Sequence, residues 1–245
     1  MNQATKLFAN LLGFGATISK AESLLVLVES IQKPETHSWI EQCIIGNPVY
    51  SGRFEEKIIE ASRDIAEVTF DDGVEATKLA VITIVHTAIE ENIKDLIAII
   101  SESKPELVFC AADLDKRKTT YGDAVSLSKS DLIQRVTSEW IASKSSDYSM
   151  PGLFSVFCRV VGVNQAVATL AGESDMARLS RLDKVRHDAV HRLAIPITHS
   201  ELNNVCDFLR KLQINIILRA YQVLDVNIVE ADVEEALESI KSGAT

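Results

Sequence analysis

The chain is poor in cysteine and proline, carries no surplus of positive charge, and contains no long hydrophobic run free of charged groups. Its four cysteines (Cys43, Cys110, Cys158 and Cys206) lie far apart in 245 residues. There is no CxxC pair and no metal-finger spacing. Each thiol sits among apolar neighbours, so the four read as small buried hydrophobes rather than disulfide partners. The most apolar stretch, 79–100, carries His86, Glu90, Glu91, Lys94 and Asp95, which a lipid-spanning helix does not tolerate. Residues 7–14 are interrupted by Asn10 and lack a basic flank, so no signal peptide is expected. The expectation is a cytoplasmic protein with no membrane partner. Acidic side chains number 35 against 25 basic, a formal charge of -10. Coating nucleic acid indiscriminately requires surplus cations, so any nucleic-acid function must reside in a local basic patch. P-loop, GxGxxG and GxSxG motifs are absent, which removes the usual nucleotide cradles and the serine nucleophile elbow. No cofactor is expected.

What is present is helical pattern. Hydrophobic residues at 47% and charged residues at 24% are ordinary for a globular protein, and the length suffices for one or two domains with a sizeable core. Long stretches lack proline and glycine, and their apolar period is that of a helix. Helices are expected at 17–31, 36–45, 53–67, 74–103, 128–145, 151–161, 175–192, 199–224 and 228–241, giving an all-α helical bundle. Ser128 with Asp131, and Thr198 with Glu201, have the spacing of helix-opening caps. Pro34, Pro48, Pro105, Pro151 and Pro196 all fall in expected connections. The sequence Thr69-Phe70-Asp71-Asp72-Gly73 interrupts the pattern and suggests a boundary, with an N-terminal helical extension at 1–70 and a helical domain at 71–245. The stretch 143–152 is the most loop-like and is expected to be an exposed excursion. The last helix is acidic (Glu230, Asp232, Glu234, Glu235, Glu238), as solvated faces are.

Residues 178–192 carry the most information. Arg178, Arg181, Lys184, Arg186 and Arg192 meet only Asp183 and Asp188, so five cations less two acids leave +3 in a chain of -10. A phosphate backbone would be drawn here before anywhere else. At about 100° per residue, Leu179, Leu182, Val185, Ala189, Val190 and Leu193 share one broad arc, and Arg186 falls inside it. A guanidinium cannot shed its proton, so it needs a partner there. Two explanations stand open: an ion pair with Glu90 or Glu91 on the long central helix, or burial beside a ligand or a partner chain.

Arg186 and His191 form an Arg-x4-His pair, with His187 directly after the arginine. Two other pairs fall within the spacing range, Arg181 with His187 and Arg192 with His199, but in each a leucine follows the arginine. In its Leu-x-x-Val-Arg-His-Asp-Ala-Val-His context the middle pair resembles the HEPN superfamily, all-helical proteins marked by an arginine, a polar residue, and a histidine. The resemblance covers residues 73–225. The helix containing Ala88-Ile89-Glu90-Glu91-Asn92-Ile93 corresponds to the family's first core helix, and 199–224 to its last. The resemblance implies a metal-independent endoribonuclease of toxin–antitoxin, abortive-infection or antiphage defence type. It also implies RNA as substrate, a homodimer, and an antitoxin or defence-system protein as a further partner. Carried onto this chain, it makes Arg186 and His191 catalytic and His187 an assisting group; Arg178, Arg181, Lys184 and Arg192 would contact RNA. The alternative it allows is a non-catalytic interaction or nucleotide-sensing module in which Arg186 is structural. The chain departs from nucleotide-modified toxins of the superfamily in having Leu193 where they carry a tyrosine.

These residue types suit metal-free cleavage. Attack by a 2′-hydroxyl on the neighbouring phosphate needs proton transfer near neutral pH, the province of histidine. The developing phosphorane needs fixed positive charge, which arginine supplies as a planar fork of donors. On one straight helix Arg186 and His191 point about 140° apart, so a two-fold dimer bringing two copies together is attractive. A rival lies in the same segment: Asp183, His187 and His191, spaced i, i+4, i+8, could hold a divalent metal. His86, within an apolar helix, reads as a satisfied core histidine.

Overall fold

The computed structural model describes residues 1–31, 55–114, 127–143, 148–162, 175–192 and 197–242, with every side chain in them except those of 31, 55–71 and 192. Among these residues the regular structure is helical and there is no strand, so the fold is all-α. In chain order the helices are α1 (Gln3–Ile31), α2 (Glu55–Ser103), α3 (Pro105–Ala111) and α4 (Lys129–Ser143). They continue with α5 (Met150–Val160), α6 (Asp175–Arg192), α7 (His199–Leu224) and α8 (Val233–Ser242). A 3-10 turn at Ile228–Glu230 separates the last two. The expected helix at 36–45, Cys43, Pro34, Pro48 and Pro196 lie outside the described residues.

Local chemistry sets several helix ends. The Asp131 N–H donates to Ser128 Oγ at 3.1 Å, and Thr198 and Glu201 form a reciprocal capping box. α7 ends at Asp225, whose φ of 56° is left-handed. Asn2 caps α1, its Oδ1 accepting from the Thr5 N–H at 2.8 Å. That helix therefore starts at Gln3 rather than near 17, and it carries Gly13 and Gly15 within it. Pro105 and Pro151 stand in the first turns of α3 and α5 rather than in connections, where the missing N–H is one a helix leaves unpaired in any case. The loop-like stretch is also better packed than expected at its far end. Tyr148 meets Trp140 edge-on with ring centroids 5.7 Å apart, and Met150 is buried.

The interruption expected at 69–73 does not occur. α2 runs through it for 49 residues, a length of about 73 Å. No proline falls in 55–103, and one glycine costs a helix only about 1 kcal/mol; Val74, directly after Gly73, is buried. α1 packs along α2, α7 and α8, and its Leu7, Phe14 and Ile18 share one core with Ile93 of α2 and Leu212 of α7. The hydrophobic core thus spans both sides of residue 70. α1, and not the 79–100 stretch of α2, is the one helix among the described residues long and apolar enough, by length and composition, to cross a membrane. Where α1, α2 and α7 meet, Asn10 Oδ1 accepts from Asn92 Nδ2 at 2.6 Å and from Gln213 Nε2 at 3.3 Å. Cys158 and Cys206 are buried and unbridged. Burial pushes their thiols up to about 12 and about 11. Cys110 is exposed instead of buried.

Candidate functional site

α6 packs against α2 and α5 through Leu179, Leu182, Val185 and Ala189, all buried. This is the apolar arc expected from the sequence, except that Val190 at its border is 41% exposed. Leu193 and the rest of 193–196 lie outside the described residues. Arg186 is half-buried within the arc. Among the described residues it has no hydrogen-bond or ion-pair partner. The carboxylates that one of the two explanations offered it are engaged elsewhere: Glu90 and Glu91 take Lys94 Nζ at 2.9 and 2.8 Å. The arc is instead tied to α2 by Asp183, whose Oδ1 lies 2.8 Å from Nε2 of His86. His86 is 5% exposed, and its Nδ1 lies 3.7 Å from Glu90 Oε2, so it is a core histidine with polar neighbours at both ring nitrogens.

The solvent side of the helix holds three more of the candidate residues, and the side chain of Arg192 lies outside the described ones. Lys184, His187 and His191 are all exposed, and their spacing of three, four and seven residues puts them on one face. The two imidazoles lie ring to ring, with centroids 4.5 Å apart and planes inclined by 46°. α6 remains α-helical through Arg192, so Arg186 stays on the packed side while His191 faces water. The structure thus brings His187, His191 and Lys184 together and holds Arg186 apart from them. The three candidate metal ligands are not assembled either. Asp183 is bonded to His86, and no group of three or more His, Cys, Asp or Glu able to hold a metal ion forms among the described residues.

Arg178 and Arg181 face a third direction, into a cleft of about 440 Å³ between α6 and α7. The Arg178 guanidinium lies 4.9 Å from the centroid of the Phe208 ring, a cation–π arrangement. Arg181 Nη2 donates to Glu201 Oε1 at 2.8 Å. The Thr198 backbone N–H and hydroxyl, together with Arg181, hold the Glu201 carboxyl below its ordinary range. Asn204, Asp207 and Lys211 complete the polar lining. Lys211 was not anticipated. The available signal was periodicity, since Glu201, Asn204, Phe208 and Lys211 recur at helical spacing along one face of α7. The cleft can take an anion beside an aromatic surface, and the histidine face can exchange protons with a group brought to it.

Comparison with models of known protein families, with curated proteins and with solved structures finds no match to this chain.

Proposed function

We propose that this chain is a metal-independent endoribonuclease working as a homodimer, of the toxin or antiphage defence type and held in check by an antitoxin or defence-system partner. One observation carries the reading: in a chain of charge -10, two exposed imidazoles lie ring to ring beside Lys184 on the cation-rich helix α6. In this mechanism His191, with His187 beside it, accepts the proton of a ribose 2′-hydroxyl as that oxygen attacks the adjacent phosphorus. The P–O5′ bond breaks and the leaving oxygen takes a proton from an imidazolium. The products are a 2′,3′-cyclic phosphate and a 5′-hydroxyl. Arg186 of the second protomer stabilises the phosphorane oxygens. Lys184, Arg192, Arg178 and Arg181 hold flanking phosphates.

The separation of Arg186 from His191 within one chain favours a second reading, an interaction or nucleotide-sensing module without catalysis. Incubating the protein with tRNA and mRNA in EDTA separates the two. The ribonuclease reading expects cleavage that is abolished by Arg186→Ala or His191→Ala with the helical circular dichroism intact. It also expects resistance when the scissile ribose is 2′-O-methylated. Equal cleavage by the wild type and both variants would exclude Arg186 and His191 as the catalytic groups, and no cleavage by the wild type would leave the second reading standing.

A further inference from the structure

The apolar surface of this chain is unevenly distributed. Ten large hydrophobic residues are exposed in the described structure, and four of them, Ile228, Val229, Val233 and Leu237, fall within ten consecutive positions. Val229 is 82% exposed. Isolated exposed hydrophobes are normal, whereas four within ten positions of one segment call for a contact that covers them. α8 is held to the body by a narrow seam in which Ala236 is its buried residue, with Ile240 partly covered. At about 100° per residue, Val233 and Leu237 lie between that seam and the outward carboxylates of Glu234 and Glu238. They form an apolar shelf along the helix, with acid on its outer edge.

The charges around the shelf are predominantly negative, although the Met1 ammonium lies 3.2 Å from Glu235 Oε1. Glu230, Asp232, Glu234, Glu235 and Glu238 are all exposed, and Lys241 is the only cation of the 228–242 segment. Among the described residues Glu230, Glu234 and Glu238 have no ion-pair partner. An anionic lipid surface would be repelled by this edge, and a neutral apolar partner would leave the carboxylates to be desolvated without compensation. An amphipathic helix with a basic flank satisfies both parts, its apolar residues at i and i+4 meeting Val233 and Leu237 and its lysines or arginines meeting the glutamates.

We infer that the Ile228–Leu237 surface is a docking site for a basic amphipathic helix of a partner protein. This surface shares no residue with α6, so its function does not depend on the ribonuclease reading. A suitable probe is a synthetic peptide of about 18 residues, five helical turns, with leucines along one face and lysines beside them. Its control is a scrambled isomer of the same composition. Titration calorimetry with the full chain should show binding to the amphipathic isomer at least about tenfold tighter than to the scrambled one. The triple variant Val229→Ser/Val233→Ser/Leu237→Ser should lose about tenfold in affinity with its helical content unchanged. Glu234→Gln/Glu238→Gln should weaken binding and flatten its salt dependence. Equal binding of the two isomers, or a triple variant that binds like the wild type, overturns the inference. Self-association of the free chain that the triple variant abolishes also overturns it, since the occupant would then be a second copy.

Discussion

Asp95 on α2 keeps part of its surface open to solvent but lines the groove that α2 forms with α1. Desolvation there, reinforced by the negative charge of Glu91 and opposed by Lys94, pushes its carboxyl from 3.8 to about 6. The folded state then holds this proton more tightly than the unfolded chain does. The stability it contributes is present at low pH, declines as pH rises from about 4 to 6, and levels off above that. Asp95→Asn should remove the decline. Discounted for solvent screening, the gain at pH 7 is about 1 kcal/mol, or roughly 2–4 °C in Tm for a chain this size. At pH 4 the variant and the wild type should melt together. A Tm difference independent of pH between 4 and 7 would show that the carboxyl titrates normally. The same scale shows what a sequence conceals. His86 is legible as a core histidine because apolar helical positions surround it, but its partner Asp183 stands 97 positions away. Only packing reveals which of the acids on α6 turns toward it.

At the scale of elements, the junction of α1, α2 and α7 rests on a single shared acceptor. Asn10 Oδ1 takes the amide N–H of both Asn92 and Gln213, which are 4% and 2% exposed. Asn10→Leu would strand two buried donors, at a cost of about 1–3 kcal/mol. Replacing all three polar groups, as in Asn10→Leu/Asn92→Leu/Gln213→Met, should recover most of that loss, because no buried donor is then left unpaired. Urea denaturation of the single and triple variants tests the coupling; a triple variant no more stable than Asn10→Leu would refute it. Which helices form was largely legible, and for physical reasons. α6 and α7 have the expected bounds because an apolar period and, at α7, a Thr198–Glu201 capping box mark them. The expected start near 17 misses the opening turns of α1, which carry Gly13 and Gly15 and whose beginning is marked by the single Asn2 cap. Gly73 reads as a break in α2 because local propensity cannot register the burial of Val74 beside it.

At the scale of the molecule, the site was legible as composition and not as geometry. The sequence marks 178–192 as the basic segment, but the fold turns its members three ways: Arg178 and Arg181 to the cleft, Arg186 to the packed side, and Lys184, His187 and His191 to water. A helix continuous through Arg192 keeps Arg186 and His191 about 140° apart. If the two act on one phosphate, they must come from different chains. Like charges meeting across a two-fold axis repel, so apolar contact must hold the pair together, and the exposed Val190 lies between the directions of Arg186 and His187 on α6. The decisive experiment mixes Arg186→Ala chains with His191→Ala chains, each inactive alone. A heterodimer contains one intact arginine and one intact histidine on opposite protomers, so one of its two composite sites is complete. With random exchange about half of the dimers are such heterodimers, each with one site of two, so the mixture should regain roughly a quarter of wild-type RNA cleavage. Mixed chains that form heterodimers yet stay inactive would exclude a site shared in this way. A stable wild-type monomer that cleaves RNA at full rate would exclude the dimeric mechanism altogether.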